Sequence, residues 1–364
     1  MLQASQQGGR SEGLSVDMDD FIELNPDQRR EKVNSDQRYQ ALLNARGAVA
    51  GYRGSLVWHG PDGSQRLMRS YYDRSGARRQ KTLGARSPET EAFKAEWDQR
   101  RAQAVQVFAE RRETMERQAA INRALRLGRV PLIAAKIIRS LDEAGLLGAG
   151  IRVAGTNAVY AYEAAAGVFV DAGVTATQDI DLLMDARRTL RILSSEDVPE
   201  GALLNLLRQV DRSFERTRET FRAINRDGYL IDLIKPDPRP PWKMERDRIG
   251  SGEDDLVAAS MEGLAWLENA RPFEAIAIDE KGWPVRMVCP DPRVFAAHKL
   301  WLSGRVDRDP PKRRRDEAQA AVVGRLTAAY LTHLAYEGDD LRVLPKSVRQ
   351  SAEPLFRHSQ STFP

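Results

Sequence analysis

Among 364 residues the chain has one cysteine, Cys289. No internal disulfide can form, and a reducing, cytoplasmic setting is the expectation. Four histidines and that lone cysteine are too few and too scattered for a structural zinc site. Aromatic residues make up only 7% of the chain against 30% charged. No apolar run approaches the ~18–20 residues of a membrane span. The polar start, MLQASQQGGRSEG, offers no apolar segment for a secretory signal. A dominant charge of one sign is missing too: 56 basic residues against 52 acidic ones leave a net +4. The whole chain therefore carries no polyanion-binding signal. Positive charge is concentrated locally instead, in Arg74, Arg78, Arg79, Lys81 and Arg86, and again in residues 312–315. A solvated face is the default reading of either run.

The length suggests two or three domains. Residues 1–46 read as an N-terminal extension. Its first ~20 residues are Gln/Gly/Ser-rich, a composition expected to stay disordered, and polar helix follows from Asn25-Pro26. Residues 47–128 read as a small sheet followed by a long helix. Three short strands, near 55–58, 65–72 and 78–83, are separated by Pro61-Asp62-Gly63 and Arg74-Ser75-Gly76. Ser87-Pro88-Glu89 then opens the helix. Its Phe93, Trp97, Ala104, Phe108 and Met115 form an apolar stripe that needs a neighbouring helix or a second copy of the chain. Residues 129–290 read as the core, and residues 291–364 as a helical C-terminal region. Within the core, the proline-rich stretch 235–241 reads as a loop leaving the apolar strand 229–234.

The core is organised around residues 153–185. An apolar run ending at Ala154 reads as a buried strand, Gly155-Thr156-Asn157 breaks it, and an Ala-rich helix follows. The stretch closes on Asp179-Ile180-Asp181-Leu182-Leu183. In a strand, residues i and i+2 share a face, so Asp179 and Asp181 project together while Ile180 and Leu182 bury. Two carboxylates that close repel unless a divalent cation lies between them, and oxygen ligands of this kind suit Mg²⁺. On its own such a pair is equally a strand end with two solvated acids. Asp232, the one acid in the apolar run Tyr229–Ile234, follows the hairpin signal Asn225-Arg226-Asp227-Gly228. A charge in a run that apolar needs a reason to be there.

Strand, Gly-small-polar turn, helix and D-x-D strand resemble the DNA polymerase β nucleotidyltransferase superfamily. The stretches 125–147, 155–185, 229–235 and 289–320, with 54–91 before them, are similar to a family of largely uncharacterised bacterial nucleotidyltransferase-fold proteins. The resemblance implies an α+β fold: a polymerase-β-type mixed sheet with flanking helices. It implies Asp179, Asp181 and Asp232 as catalytic and metal-binding carboxylates for Mg²⁺ or Mn²⁺. It also implies Gly155, Thr156 and Asn157 at the triphosphate of an NTP such as ATP, and Lys299, Lys312 and Arg315 as further nucleotide contacts. The implied reaction moves a nucleoside monophosphate to an acceptor hydroxyl and releases pyrophosphate. RNA, tRNA above all, in a toxin or phage-defence setting is one acceptor. A protein side chain, a small molecule, or a non-catalytic nucleic-acid-binding role are the alternatives. The strands of residues 47–86 resemble the small N-terminal sheet of phage-type integrases. There Arg74, Arg78, Arg79 and Lys81 would contact a nucleic-acid acceptor.

Overall fold

The computed structural model describes residues 21–72, 77–185, 202–238, 240, 242, 247–250 and 252–357. Four expectations fall partly or wholly outside these residues: disorder in residues 1–20, the turn Arg74-Ser75-Gly76, a phosphate-contacting role for Arg74, and the end of the proline-rich loop after Pro238.

The first strand, β1 (Phe21–Glu23), leads into α1 (Pro26–Gly51). Asn25 caps α1: its side chain accepts from the Gln28 amide, and the Gln28 side chain accepts from the Asn25 amide, both at 2.9 Å. One helix therefore runs past residue 46 into the stretch assigned to the small sheet. That sheet is β2 (Ser55–His59), β3 (Arg66–Tyr72) and β4 (Arg78–Ala85), all antiparallel in that order. The long helix α2 (Pro88–Ala124) follows, capped by Ser87 and Thr90. It ends in a left-handed turn at Arg126, φ 55°, where the amides of Arg126 and Leu127 return to the carbonyls of Arg123 and Asn122.

The stripe on α2 finds its partner inside the chain. The helices α1 and α2 lie antiparallel, Gln28 meeting Leu125 at one end and Tyr52 meeting Trp97 at the other. Met115 and Phe108 pack with Tyr39 and Leu42, while Phe93 stays half-exposed. Between the helices runs a buried polar seam. Asn122 donates to Ser35 and to the Gly282 carbonyl, and accepts from Gln118. Such groups must be paired once buried.

The core comprises α3 (Leu132–Glu143), β5 (Ile151–Ala154), α4 (Ala158–Ala166), β6 (Val168–Val170), α5 (Ala172–Thr175), β7 (Asp179–Met184) and α6 (Ala202–Val210). It continues with β8 (Glu215–Arg216), β9 (Arg222–Ile224), β10 (Leu230–Pro236), β11 (Ala259–Met261) and α7 (Leu264–Asn269). The hairpin β12 (Pro272–Ile278) and β13 (Pro284–Pro290) follows, then α8 (Pro292–Ser303), α9 (Pro310–Tyr330) and α10 (Lys346–Ala352). The central sheet has the order β5-β7-β10-β9-β8, with β11 beside β10. β7 and β10 are parallel, and the other neighbours on that path are antiparallel. The architecture is thus α+β, with a mixed sheet and flanking helices.

Burial follows the pattern read from the residues. Ile180, Leu182, Ile231 and Leu233 are fully buried beneath the sheet, against α3, α4 and the hairpin. Residues of α8 and α9, Phe295, Val322, Val323 and Leu326 among them, belong to the same core. One local expectation is corrected. Lys235 and Pro236 do not begin a loop; β10 continues through both, parallel to Ser260 and Met261. Proline lacks only a donor, and at a strand end that donor is dispensable. No helix among the described residues is long and apolar enough to cross a membrane.

Candidate active site

Three adjacent strands bring the carboxylates together. Asp181 of β7 stands opposite Asp232 of parallel β10, and Ala154, the last residue of β5, stands opposite Asp181 on the other side. Asp179 and Asp181 share the face above the buried Ile180 and Leu182, and both remain partly exposed. Thr177 donates its hydroxyl to Asp179.

The glycine turn begins one residue beyond Ala154, the partner of Asp181, and the Asp181 side chain reaches across to Gly155. Gly155 has φ +58°, and a Cβ built on it would lie 1.8 Å from Asp181 Oδ2. Glycine is needed here for its left-handed backbone and for the carboxylate that occupies its side-chain space. Thr156 and Asn157, expected at the triphosphate, turn their side chains inward. The Thr156 hydroxyl accepts from Gln319 at 3.0 Å, and the Asn157 amide donates to the Asp179 carbonyl at 2.7 Å. Both are buried. Their side chains hold α9 and β7 to the turn, which leaves its backbone for any phosphate.

The surrounding charge differs from the expected set. Lys299 is buried and pairs with Asp316 at 2.7 Å; Arg308 pairs with the other oxygen of Asp316 at 2.8 Å. Burial raises the Asp316 carboxyl, but these two cations outweigh it and hold it below the ordinary range. Asp181 goes the other way. Burial, then the nearby Asp179, push its carboxyl up to about 6; Lys299 opposes this, Asp232 adds to it, and Arg308 opposes it again. The cations felt at Asp181 are thus Lys299 and Arg308. Lys312 lies exposed and Arg315 half-exposed in the first turns of α9. His298 is buried; desolvation, and then the neighbouring Lys299, lower it to about 3 and keep it neutral. Burial likewise pushes the Cys289 thiol far up, leaving it unreactive.

Sequence reasoning does not single out Arg222. It lies opposite Asp232 on β9 and donates Nε to Oδ1 at 2.7 Å and Nη2 to Oδ2 at 2.8 Å. A five-residue loop centred on Asp227 places residue 222 across from 232, so the hairpin signal did contain this pairing. Arg308 has no such signal, since it sits in a connection between helices. Among the described residues no three His, Cys, Asp or Glu side chains converge as a metal-binding group. Asp232 stands beside Asp181 on the neighbouring strand, and both of its carboxylate oxygens accept from Arg222.

Comparison with curated proteins and with solved structures finds no match. A family model described as Nucleotidyltransferase matches residues 133–344. That is more than half of the chain, and it contains the glycine turn, the three aspartates, Arg222, Lys299, Arg308 and Asp316. The chain therefore belongs to this nucleotidyltransferase family, as an enzyme of nucleotidyl transfer that draws on an NTP.

Proposed function

We propose that the chain transfers a nucleoside monophosphate from an NTP to an acceptor hydroxyl, with Asp179 and Asp181 holding Mg²⁺ or Mn²⁺ on the triphosphate. The observation that carries this reading is the pairing of Asp181 with Gly155: a carboxylate raised by burial and by a second carboxylate, packed on a turn that has no side chain. The donor set fits. Mg²⁺ is commonly held by one or two protein carboxylates, with phosphate oxygens and water completing its shell. Bound there, it would neutralise the triphosphate and the charge developing on the leaving pyrophosphate. The backbone of the glycine turn faces the phosphates, and Lys299 and Arg308 add positive charge from the side of α8 and α9. The acceptor oxygen forms its bond to the α-phosphorus as the bond to the pyrophosphate oxygen breaks, and the hydroxyl proton leaves to solvent. Incubation with α-labelled NTPs and Mg²⁺ tests this. Asp181→Asn should fold and lose transfer by about 10²-fold or more. Full transfer by the folded variant would sink the assignment.

A nucleic-acid acceptor is favoured by the outer strand of the small sheet. Residues 78–83 of β4 are all exposed, and they include Arg78, Arg79 and Lys81. Exposed Arg53 and Arg66 lie on the same module, and Tyr72 is 63% exposed. Phosphate contacts release counterions, so binding should weaken steeply with salt. Alanine at Arg78, Arg79 and Lys81 should flatten the salt slope by about one unit for each phosphate-binding cation removed. An unchanged slope would turn attention to a protein or small-molecule acceptor.

A further inference from the structure

We infer that Arg222 holds the place on Asp232 that a second divalent cation would take, so that this site works with one cation and a fixed guanidinium. The inference rests on the reading of Asp179 and Asp181 as the holders of the first cation. Arg222, Asp232 and Asp181 are consecutive rungs across β9, β10 and β7. Asp232 faces Asp181 on one side and receives Arg222 from the other. Both of its oxygens accept, one from Nε and one from Nη2, in the parallel two-bond geometry that a planar guanidinium forms best. The side chains of the pair are only 29% and 11% exposed.

Arg222 is also held independently of Asp232. It reaches Glu219 at 3.4 Å and lies 5.3 Å from the centre of the Phe221 ring. Its strand is fixed by backbone bonds, Arg222 N to Glu219 O and Thr217 N to Arg222 O, both 2.9 Å. For Asp232 to ligate a metal, this guanidinium would have to leave, stranding a charge that is mostly buried. Guanidinium stays protonated at any working pH. It thus supplies one unit of positive charge beside the cation-holding pair without exchange with solvent ions.

The test counts ions directly. Mn²⁺ binding to the full chain is titrated by electron paramagnetic resonance, with a saturating NTP analogue whose α–β bridging oxygen is replaced by methylene. The wild type should hold one Mn²⁺ per chain beyond that on free analogue. Arg222→Gln should hold two, Arg222→Gln with Asp232→Asn should return to one, and Arg222→Lys should stay at one. Two ions on the wild type would overturn the inference, whether or not any variant folds. A folded Arg222→Gln that still holds one would overturn it as well. A wild type that holds no ion, or an Asp179→Asn/Asp181→Asn chain that holds one as tightly, would instead remove the underlying reading of the aspartate pair.

Discussion

Gly155 and Asp181 compete for one volume: the Oδ2 of Asp181 lies where a Cβ on Gly155 would be, 1.8 Å from that position. Asp181 keeps its place because residue 155 has no side chain. Gly155→Ala must therefore displace the carboxylate and strain a backbone at φ +58°. We expect a loss of about 1–3 kcal/mol in urea unfolding and a near-complete loss of transfer. In the background of Asp181→Ala the same substitution should cost less, because the collision with the carboxylate is gone. Equal costs in both backgrounds would show that the collision is absent.

The raised Asp181 carboxyl makes stability depend on pH. Its folded value, about 6, lies above the 3.8 of a free aspartate side chain. Its stabilising contribution is thus complete below about pH 4 and is lost as pH rises through about 6. Asp181→Asn should be more stable than the wild type above about pH 6, by about 1–3 kcal/mol, and the gap should close towards the acid end. Urea titrations across that range, carried up to about pH 8, measure it. A gap that does not change with pH would mean that Asp181 titrates normally.

Asp316 is 1% exposed between Lys299 and Arg308. Asp316→Ala leaves two neighbouring cations, one of them buried, without their shared anion. We expect a cost of about 3–5 kcal/mol. A loss under about 1 kcal/mol, in the range of exposed pairs, would mean that water replaces the carboxylate freely.

Arg126 ends α2 with a left-handed backbone that a side chain resists. It is exposed. Arg126→Gly should raise stability by roughly 0.5–1 kcal/mol, the relief of strain exceeding the added freedom of the unfolded chain. A decrease would show that the arginine side chain stabilises the turn by more than the strain costs.

Local features are legible in the sequence where a short-range rule applies. Asn25 and Ser87 announce their helices through their own side chains. Asp179 and Asp181 alternate with Ile180 and Leu182, so their shared face follows from strand geometry alone. Asp232 stands out as the one charge in an apolar run. Its alignment with Asp181 is visible only with the parallel pairing of β7 and β10, which dozens of intervening residues separate. The same limit hides Arg308 and the packing of α1 on α2, whereas the hairpin centred on Asp227 does set Arg222 across from Asp232. An ion pair between side chains on different elements leaves no periodicity to read. Lys299 is expected beside the carboxylates, but its partner Asp316 lies on the next helix, and nothing in either segment names the other. Thr156 and Asn157 stand at the expected turn, yet the direction of their side chains depends on Gln319 and on the strand below.

The pairing of β1 with β6, and the seam between Asn122 and Gly282, set a timetable for synthesis. Phe21–Glu23 and α1 leave the ribosome before their partners, Val168–Val170 and the hairpin that ends at Pro290. Roughly 150 to 250 further residues must be translated before this arm can dock, and at ~5–20 residues per second the delay is on the order of 10–50 s. Until then the cluster in which Leu24 and Leu127 come to rest lacks Ile278, its third buried member. A segment made early is therefore among the last to reach its final place.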